Sequence, residues 1–158
     1  MHRITLCCCA VVLVGCNKPK EQPAAEAPAA APEAEAAPPA PAPIALADLA
    51  GKWNIRTMTE SGDSTLLTFE MVASGDTTGW VFNFPKRKPV PVRVSVGGDS
   101  IVLEAGPYES LLRKGVQVTT HTVERLQDGK LVGATTAHYK TSGADSVRQL
   151  RVEGTRAK

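Results

Sequence analysis

From residue 52 onwards, apolar and polar residues alternate over short segments, which is the period of a β-strand with one buried face. Glycine, proline, serine or aspartate interrupts each segment, and these residues favour turns. The pattern favours an all-β fold, either an antiparallel up-and-down barrel or a strongly curved sheet of about eight strands. The predicted strands lie near residues 52–60, 64–73, 78–84, 90–96, 100–105, 116–126, 130–140 and 146–155.

Two segments outside these strands have room for a helix. Residues 47–50 form at most one helical turn before the first strand, and residues 107–114 (PYESLLRK) are the other place where a short helix fits.

The apolar face of each predicted strand supplies the predicted core, which is mainly aliphatic. Burying each large side chain contributes about 1.5–3 kcal/mol. The predicted core residues are Trp53, Ile55, Leu67, Phe69, Met71, Trp80, Phe82, Phe84, Val90, Val92, Val94, Val96, Ile101, Leu103, Val116, Val118, Leu126, Leu131, Tyr139, Leu150 and Val152.

The dipeptide Asp128-Gly129 lies between two alternating segments and favours a two-residue hairpin turn. A turn of that length fixes the register of the two strands, and a longer turn would shift it. The predicted pairs are Gln127 with Lys130, Leu126 with Leu131, and Val118 with Tyr139.

The same register places two candidate metal ligands, His121 and His138, on the Thr-rich face opposite the core. They would be diagonal neighbours about 7–8 Å apart. Zinc requires at least three protein ligands, and the sequence places no carboxylate beside them. We therefore predict two exposed histidines and no metal site, and a metal-dependent enzyme at this pair is a competing hypothesis.

The first residues of the chain have the organisation of a secretion signal. His2 and Arg3 form a basic start, and an uncharged apolar run extends from Ile4 to Gly15. As a helix this run would be about 18 Å long, short of the ~30 Å hydrocarbon core of a bilayer. Residues 1–15 are therefore predicted to be a signal peptide and not a membrane-spanning helix.

The residues Leu13-Val14-Gly15-Cys16 resemble the lipobox of bacterial lipoproteins, in which an apolar, a variable and a small residue precede cysteine. The resemblance implies diacylglyceryl transfer to the Cys16 thiol, cleavage before Cys16 and acylation of the new amine. Several acyl chains, such as palmitate, hold a protein stably at a membrane. The alternative is an ordinary signal peptide with an incidental cysteine.

Two further features follow the lipobox. Asn17 stands where an aspartate would resemble the inner-membrane retention signal, so the resemblance implies a cell-envelope protein of the outer membrane, facing the periplasm or the cell surface. No cysteine follows Cys16, so the remaining chain is expected to have no disulfide and no thiol site.

Composition divides the rest of the chain into a tether and a domain. Residues 17–43 contain eleven Ala, eight Pro and four Glu, a composition that favours an extended linker and cannot form a core. We assign residues 16–43 to a lipid-anchored tether and residues 44–158 to the β domain. The tether is interpreted as a spacer, and a partner-binding proline-rich segment is the alternative.

Charge is modest and locally concentrated. Residues 44–158 contain fifteen Lys/Arg and twelve Asp/Glu, too small an excess to indicate nucleic-acid binding. Lys86, Arg87 and Lys88 lie between Pro85 and Pro89 and predict a stiff exposed loop. Such a loop either contacts an anionic headgroup or polyanion or is a solvated hairpin tip.

No catalytic motif is present in the sequence. There is no Gly-x-Ser-x-Gly elbow, and no histidine is spaced from Ser110 as a catalytic base would be. No glycine-rich phosphate loop precedes a helix. The sequence therefore favours a protein that is not an enzyme and implies no cofactor.

The residues Gly51-Lys52-Trp53 at the opening of the first strand resemble the Gly-x-Trp signature of lipocalins and related calycin barrels. The resemblance implies that Trp53 packs across one barrel end beneath an arginine of the last strand, either Arg151 or Arg156. A similar opening occurs in small secreted barrel inhibitors of metalloproteases, and a core tryptophan at a strand start is the simplest alternative.

These observations predict a membrane-anchored envelope lipoprotein with a non-catalytic β-barrel domain. Its partner would be a small apolar ligand inside the barrel, or an envelope protein or envelope polymer at the rim. The alternative is a structural or inhibitor-like protein that acts through loops 85–91 or 105–115. A cavity under about 100 Å³ would reject the internal apolar ligand, since ligand pockets typically measure about 300 Å³ or more.

Overall fold

The computed structural model describes residues 42–158. The predicted signal peptide, the predicted lipidation site Cys16 and the tether as far as residue 41 lie outside the described residues. Within residues 42–158, no helix has the length and apolar character that a membrane crossing demands.

Eight antiparallel strands close into an up-and-down barrel in which every strand pairs with its neighbours in sequence and β1 pairs with β8. The all-β fold class predicted from the alternating pattern is therefore confirmed. The strands are β1 (Gly51–Met58), β2 (Thr65–Ala73), β3 (Val81–Asn83), β4 (Val90–Gly97), β5 (Ser100–Glu109), β6 (Gln117–Gln127), β7 (Lys130–Tyr139) and β8 (Val147–Arg156). One turn of helix, α1 (Leu46–Leu49), precedes β1, as predicted, and a 3₁₀ turn (Ala144–Ser146) precedes β8.

The β6–β7 hairpin has the predicted register along its whole length. Gln127 pairs with Lys130, and the ladder continues to Val118 opposite Tyr139. Asp128 and Gly129 have φ values of 51° and 76°, the left-handed conformation that a type I′ turn requires of both central residues. Because side chains alternate across a strand, this register determines which residues of β6 and β7 face the barrel interior.

The barrel has two distinct ends. We call the closed end the one formed by residues 44–50, 74–80, 98–99, 128–129 and 157–158, and the open end the one formed by loops 59–64, 84–89, 110–116 and 140–146. The chain enters the domain at the closed end, where the amide of Ile44 donates to the carbonyl of Gly98 at 3.0 Å. The tether therefore joins the domain at the end opposite the open one.

The core extends along most of the barrel, and a smaller cluster of Val118, Ala137, Tyr139 and Leu150 packs towards the open end. Most of the predicted core residues are buried, and the rings of Phe69, Phe82 and Phe84 pack against one another with centroids 4.8–6.1 Å apart. Val96 and Leu126 were expected in the core, but 46% and 38% of their surfaces are exposed. Each is the second-last residue of its strand and lies beside a hairpin, where the barrel interior ends.

No helix forms over residues 107–114, the second place where the sequence has room for one. Residues 107–109 continue β5, and Tyr108 pairs with Val118 of β6. A register shift between Ala105 and Tyr108 accommodates Pro107, which has no amide hydrogen for the ladder. The Tyr108 ring packs 5.3 Å from that of Phe84, and this burial outweighs the weak local preference for a helix.

Candidate functional site

Trp53 closes one end of the barrel together with the segment that precedes it. The indole is fully buried and its Nε1 donates to the Leu49 carbonyl at 2.8 Å. The Arg156 guanidinium lies 4.5 Å from the centre of the Trp53 ring, within the range of a cation–π interaction. Its Nη1 donates to the Ala50 carbonyl at 2.7 Å, and its Nη2 bonds the Asp48 carbonyl. Arg156 thus links the last strand to α1 across the closed end.

Arg151, the other arginine expected over the tryptophan, occupies a different place. It is exposed on the outer face of β8, pairs with Met58 of β1 and lies beside Gly62 of the first loop. Of the two alternatives that the sequence left open, the structure brings Arg156 to Trp53.

The barrel interior contains a partly enclosed cavity of about 50 Å³ that reaches from mid-barrel to the open end. Its apolar wall includes Leu67, Phe69, Phe82, Leu111 and Leu112. One side of the wall is polar, because β6 and β7 direct hydroxyl and carboxyl groups inward. The polar lining residues from these two strands are Thr120, Thr122, Glu124 and Thr135, and other elements add Thr57, Tyr108 and Ser110.

Among the buried residues of the described chain, Glu124 is the only acidic or basic one, and 2% of its surface is exposed. It lines the cavity, and its Oε2 has no hydrogen-bond partner. Burial raises the pKa of the Glu124 carboxyl from 4.5 to about 7, since the charged form loses its hydration inside the barrel. This carboxyl therefore changes its charge near neutral pH.

Hydroxyl groups surround the same side of the cavity. Thr122 Oγ1 and Thr135 Oγ1 form a buried hydrogen bond of 2.7 Å across the β6–β7 pair. Thr120 Oγ1 is buried without a hydrogen bond of normal geometry, although it lies near enough to the Tyr108 hydroxyl to affect it. Burial raises the pKa of Tyr108, and the Thr120 hydroxyl opposes part of that rise. The cavity thus has two unpartnered polar atoms, one on Thr120 and one on Glu124.

Loop 110–116 lies over the cavity at the open end and is held by several contacts. Ser110 Oγ accepts from the amides of Leu112 and Arg113 at 3.1 and 3.0 Å. The Arg113 guanidinium stacks 4.1 Å from the centre of the Tyr139 ring and donates to the Asp145 carbonyl at 2.7 Å. This loop is therefore an ordered lid attached to the neighbouring loop 140–146.

The basic loop 86–88 belongs to the same open end, and its three side chains have different surroundings. All three residues are exposed. Arg87 Nη1 donates to the Glu109 carbonyl at 2.5 Å and its Nη2 lies 3.9 Å from Oε1 of that residue. Lys86 and Lys88 form no salt bridge with any described residue. Lys86 has a φ of 57° in the tight turn.

Side-chain charge is distributed unequally between the two ends. The open-end loops contain six Lys/Arg and three Asp/Glu, an excess of three positive charges. The closed-end loops contain Asp48, Asp76, Asp99 and Asp128 and one cation, Lys158, an excess of three negative charges. The barrel therefore presents a cationic open end.

His121 and His138 lie on the outer face of adjacent strands, as the register predicted. His121 pairs with Thr136, His138 pairs with Thr119, and both histidines are exposed. Among residues 42–158, no three His, Cys, Asp or Glu side chains are grouped as a metal site would need.

The sequence analysis missed Glu124, although its own register contained the signal. If Val118 faces inward, every second residue of β6 does so, and this includes Thr120, Thr122 and Glu124. Polar side chains are not typical of a core, so the pattern of apolar residues alone did not predict these three inside the barrel.

Comparisons of the chain with protein-family models, with curated proteins and with solved structures found no match.

Proposed function

We propose that this protein is a non-catalytic envelope lipoprotein, anchored through Cys16, whose barrel binds an anionic component of the envelope at its open end. The main support for this proposal is the distribution of charge, with an excess of three positive charges in the open-end loops and three negative charges in the closed-end loops. Charge of one sign at a rim promotes encounter with an oppositely charged surface.

The course of the chain leaves the open end accessible to a partner. The tether joins the domain at the closed end, where Ile44 bonds to Gly98. The open end consequently lies on the far side of the domain from the attachment point. Lys86, Lys88 and Lys114 are exposed at this open end.

The cavity supports binding at the rim over an apolar ligand inside the barrel. Pockets for ordinary small ligands have volumes of about 300–1,000 Å³. The barrel cavity has about 50 Å³, enough for a few water molecules. The contact of Arg156 with Trp53 supports kinship with the lipocalin-like barrels that the sequence resembles, and that kinship is part of the proposal.

The test uses the lipidated protein in vesicles of neutral lipid. Capture of added vesicles containing phosphatidylglycerol, and separately of dextran sulfate, distinguishes a lipid surface from a polymer. We expect capture of at least one of these probes, weakened by salt because exposed charges are screened within about 10 Å at 0.1 M ionic strength.

The variant Lys86→Glu with Lys88→Glu should abolish this capture. The matched control, Lys52→Glu with Lys158→Glu, makes the same change in net charge at the closed-end side of the barrel and should retain it. Equal capture by both double variants, or no capture of either probe by the unmodified protein, would reject binding through the open end.

A further inference from the structure

We propose that the barrel cavity is a binding site for a small primary ammonium ion, held by the Glu124 carboxylate. This site is distinct from the cationic open end, and the proposal does not depend on the function proposed for that end.

The Glu124 carboxyl is an unpartnered polar group inside the barrel. Buried polar side-chain atoms are normally hydrogen-bonded, because an unmet hydrogen bond in the interior is destabilising. Glu124 Oε2 lacks a partner among the described residues, and Glu124 lines the cavity with 2% of its surface exposed. A guest in the cavity that donates hydrogen bonds can therefore satisfy this atom.

The ionised carboxyl of Glu124 selects a positively charged guest. No salt bridge within residues 42–158 involves Glu124, so nothing described in the chain neutralises its ionised form. A buried carboxylate is stabilised by an opposite charge that also donates hydrogen bonds. A primary ammonium group has three N–H donors, and the carboxylate and hydroxyl oxygens here are acceptors. An anion would instead be repelled by the ionised carboxylate.

The volume of the cavity limits the size of the guest. A cavity of about 50 Å³ accepts an ammonium head with one or two carbon atoms. A longer alkyl chain would have to displace Leu111 and Leu112 of the lid, which close the cavity towards the open end. The rest of the wall is apolar and suits a short alkyl group. The site should therefore prefer methylammonium or ethylammonium to larger amines.

The rim does not prevent access by such an ion. Five of the six open-end cations are exposed, so salt screens them over a distance of about 8 Å at physiological ionic strength. Glu124 is buried, and its interaction with an ion in the same cavity is screened much less. Moderate salt should consequently leave binding of the ammonium ion largely intact.

The experiment is calorimetric titration of the full chain with ethylammonium, with ethanol as the uncharged probe and tetramethylammonium as the cation without N–H donors. We expect binding of ethylammonium and little heat from the other two. Binding should weaken from about pH 8 to about pH 5, because protonation removes the negative charge of Glu124. The carboxyl carbon of Glu124, followed by NMR, should titrate at lower pH when ethylammonium is present.

Two variants test the assignment of the site. Glu124→Gln keeps the shape and removes the charge, and it should weaken binding by at least about tenfold. Glu104→Gln is the matched control, since Glu104 is on the outside of the barrel paired with Arg93, and it should bind as the unmodified chain does.

Three results would overturn the proposal. One is the absence of ethylammonium binding at millimolar concentration, which would mean that the cavity holds water only. Another is equal affinity in the Glu124→Gln and Glu104→Gln variants. The third is equal heat from ethylammonium and tetramethylammonium, which would indicate nonspecific attraction of cations.

Discussion

At the scale of single residues, the Glu124 carboxyl has the clearest energetic consequence, because its pKa is about 7 in the folded barrel and 4.5 as an ordinary carboxyl. Below about pH 4.5 both the folded and the unfolded chain hold the proton. Between these two values the unfolded chain releases it and the folded chain retains it. This residue therefore makes the fold less stable as pH rises through that window, with no further loss above about pH 7.

We predict that Glu124→Gln removes this pH dependence. The pKa difference corresponds to about 3 kcal/mol, so the variant should exceed the unmodified chain in stability by up to that amount at about pH 8. At about pH 4 the two chains should differ little. Urea unfolding at both pH values measures the difference, and a gap that does not grow with pH would contradict the burial of an ionisable carboxyl.

Arg156 allows a second prediction at the same scale. Arg156→Ala removes the stacking on Trp53 and the hydrogen bond to the Ala50 carbonyl, so we expect a loss of about 1–3 kcal/mol in unfolding free energy. Arg151→Ala is the control on the same strand. It should change stability by less than about 0.5 kcal/mol. Equal losses from the two variants in thermal or urea unfolding would show that the contact with Trp53 has no particular value.

At the scale of elements, the pairing of β6 with β7 depends on a close approach of the two backbones. Gly133 of β7 pairs with Glu124 of β6. A Cβ atom at position 133 would lie 1.9 Å from the Val123 carbonyl oxygen and 2.8 Å from the Glu124 Cα. The backbone beside the buried carboxyl thus has no room for any side chain.

We predict that Gly133→Ala destabilises the barrel by about 3 kcal/mol or more, because the contact is with backbone and cannot be relieved by a side-chain rotation. Gly98→Ala is the control. It adds a methyl group in open space at a φ of 62° and should cost only about 1 kcal/mol. Circular dichroism during thermal unfolding compares them, and similar melting temperatures would show that the two strands can separate locally.

Elements also differ in how well the pattern predicted them. The β6–β7 hairpin was predicted with its full register, because alternation and the Asp128-Gly129 turn specify the same pairing. The extension of β5 through Pro107 was not predicted, because proline interrupts a strand pattern and only packing of Tyr108 on Phe84 retains the segment in the sheet.

At the scale of the whole molecule, attachment to a membrane depends on the predicted lipidation of Cys16, which lies outside the described residues. We predict that Cys16→Ala moves the protein from the membrane fraction to the soluble fraction of the cell envelope. The acyl chains supply the attachment, at about 0.8 kcal/mol per buried CH₂ group. Sedimentation in high salt followed by immunoblotting measures this partition.

High salt is needed in that experiment because it suppresses contacts between the cationic open end and anionic lipids. A Cys16→Ala protein that still sediments with membranes under these conditions would exclude lipid anchoring. Mass spectrometry of the unmodified protein provides the complementary measurement, since a free thiol at Cys16 would exclude it as well.

The sequence by itself determined the fold class, the order of the strands and most of the core. Alternation with a period of two, interrupted by turn residues, leaves few solutions other than an antiparallel sheet, and hairpin connections keep sequential strands adjacent. The burial of Trp53, Ile55 and Phe82 follows from that pattern because each lies on the apolar face of its strand.

Only the tertiary structure decided which arginine meets Trp53, where the charges gather and what the cavity contains. Arg151 and Arg156 are both on β8, and the closure of β8 onto β1 brings one of them to the tryptophan. The loops that form the cationic open end are far apart in sequence and meet only when the barrel closes. Glu124 becomes a buried, unpaired carboxyl for the same reason, since local alternation names its face but only the closed barrel removes the water from it.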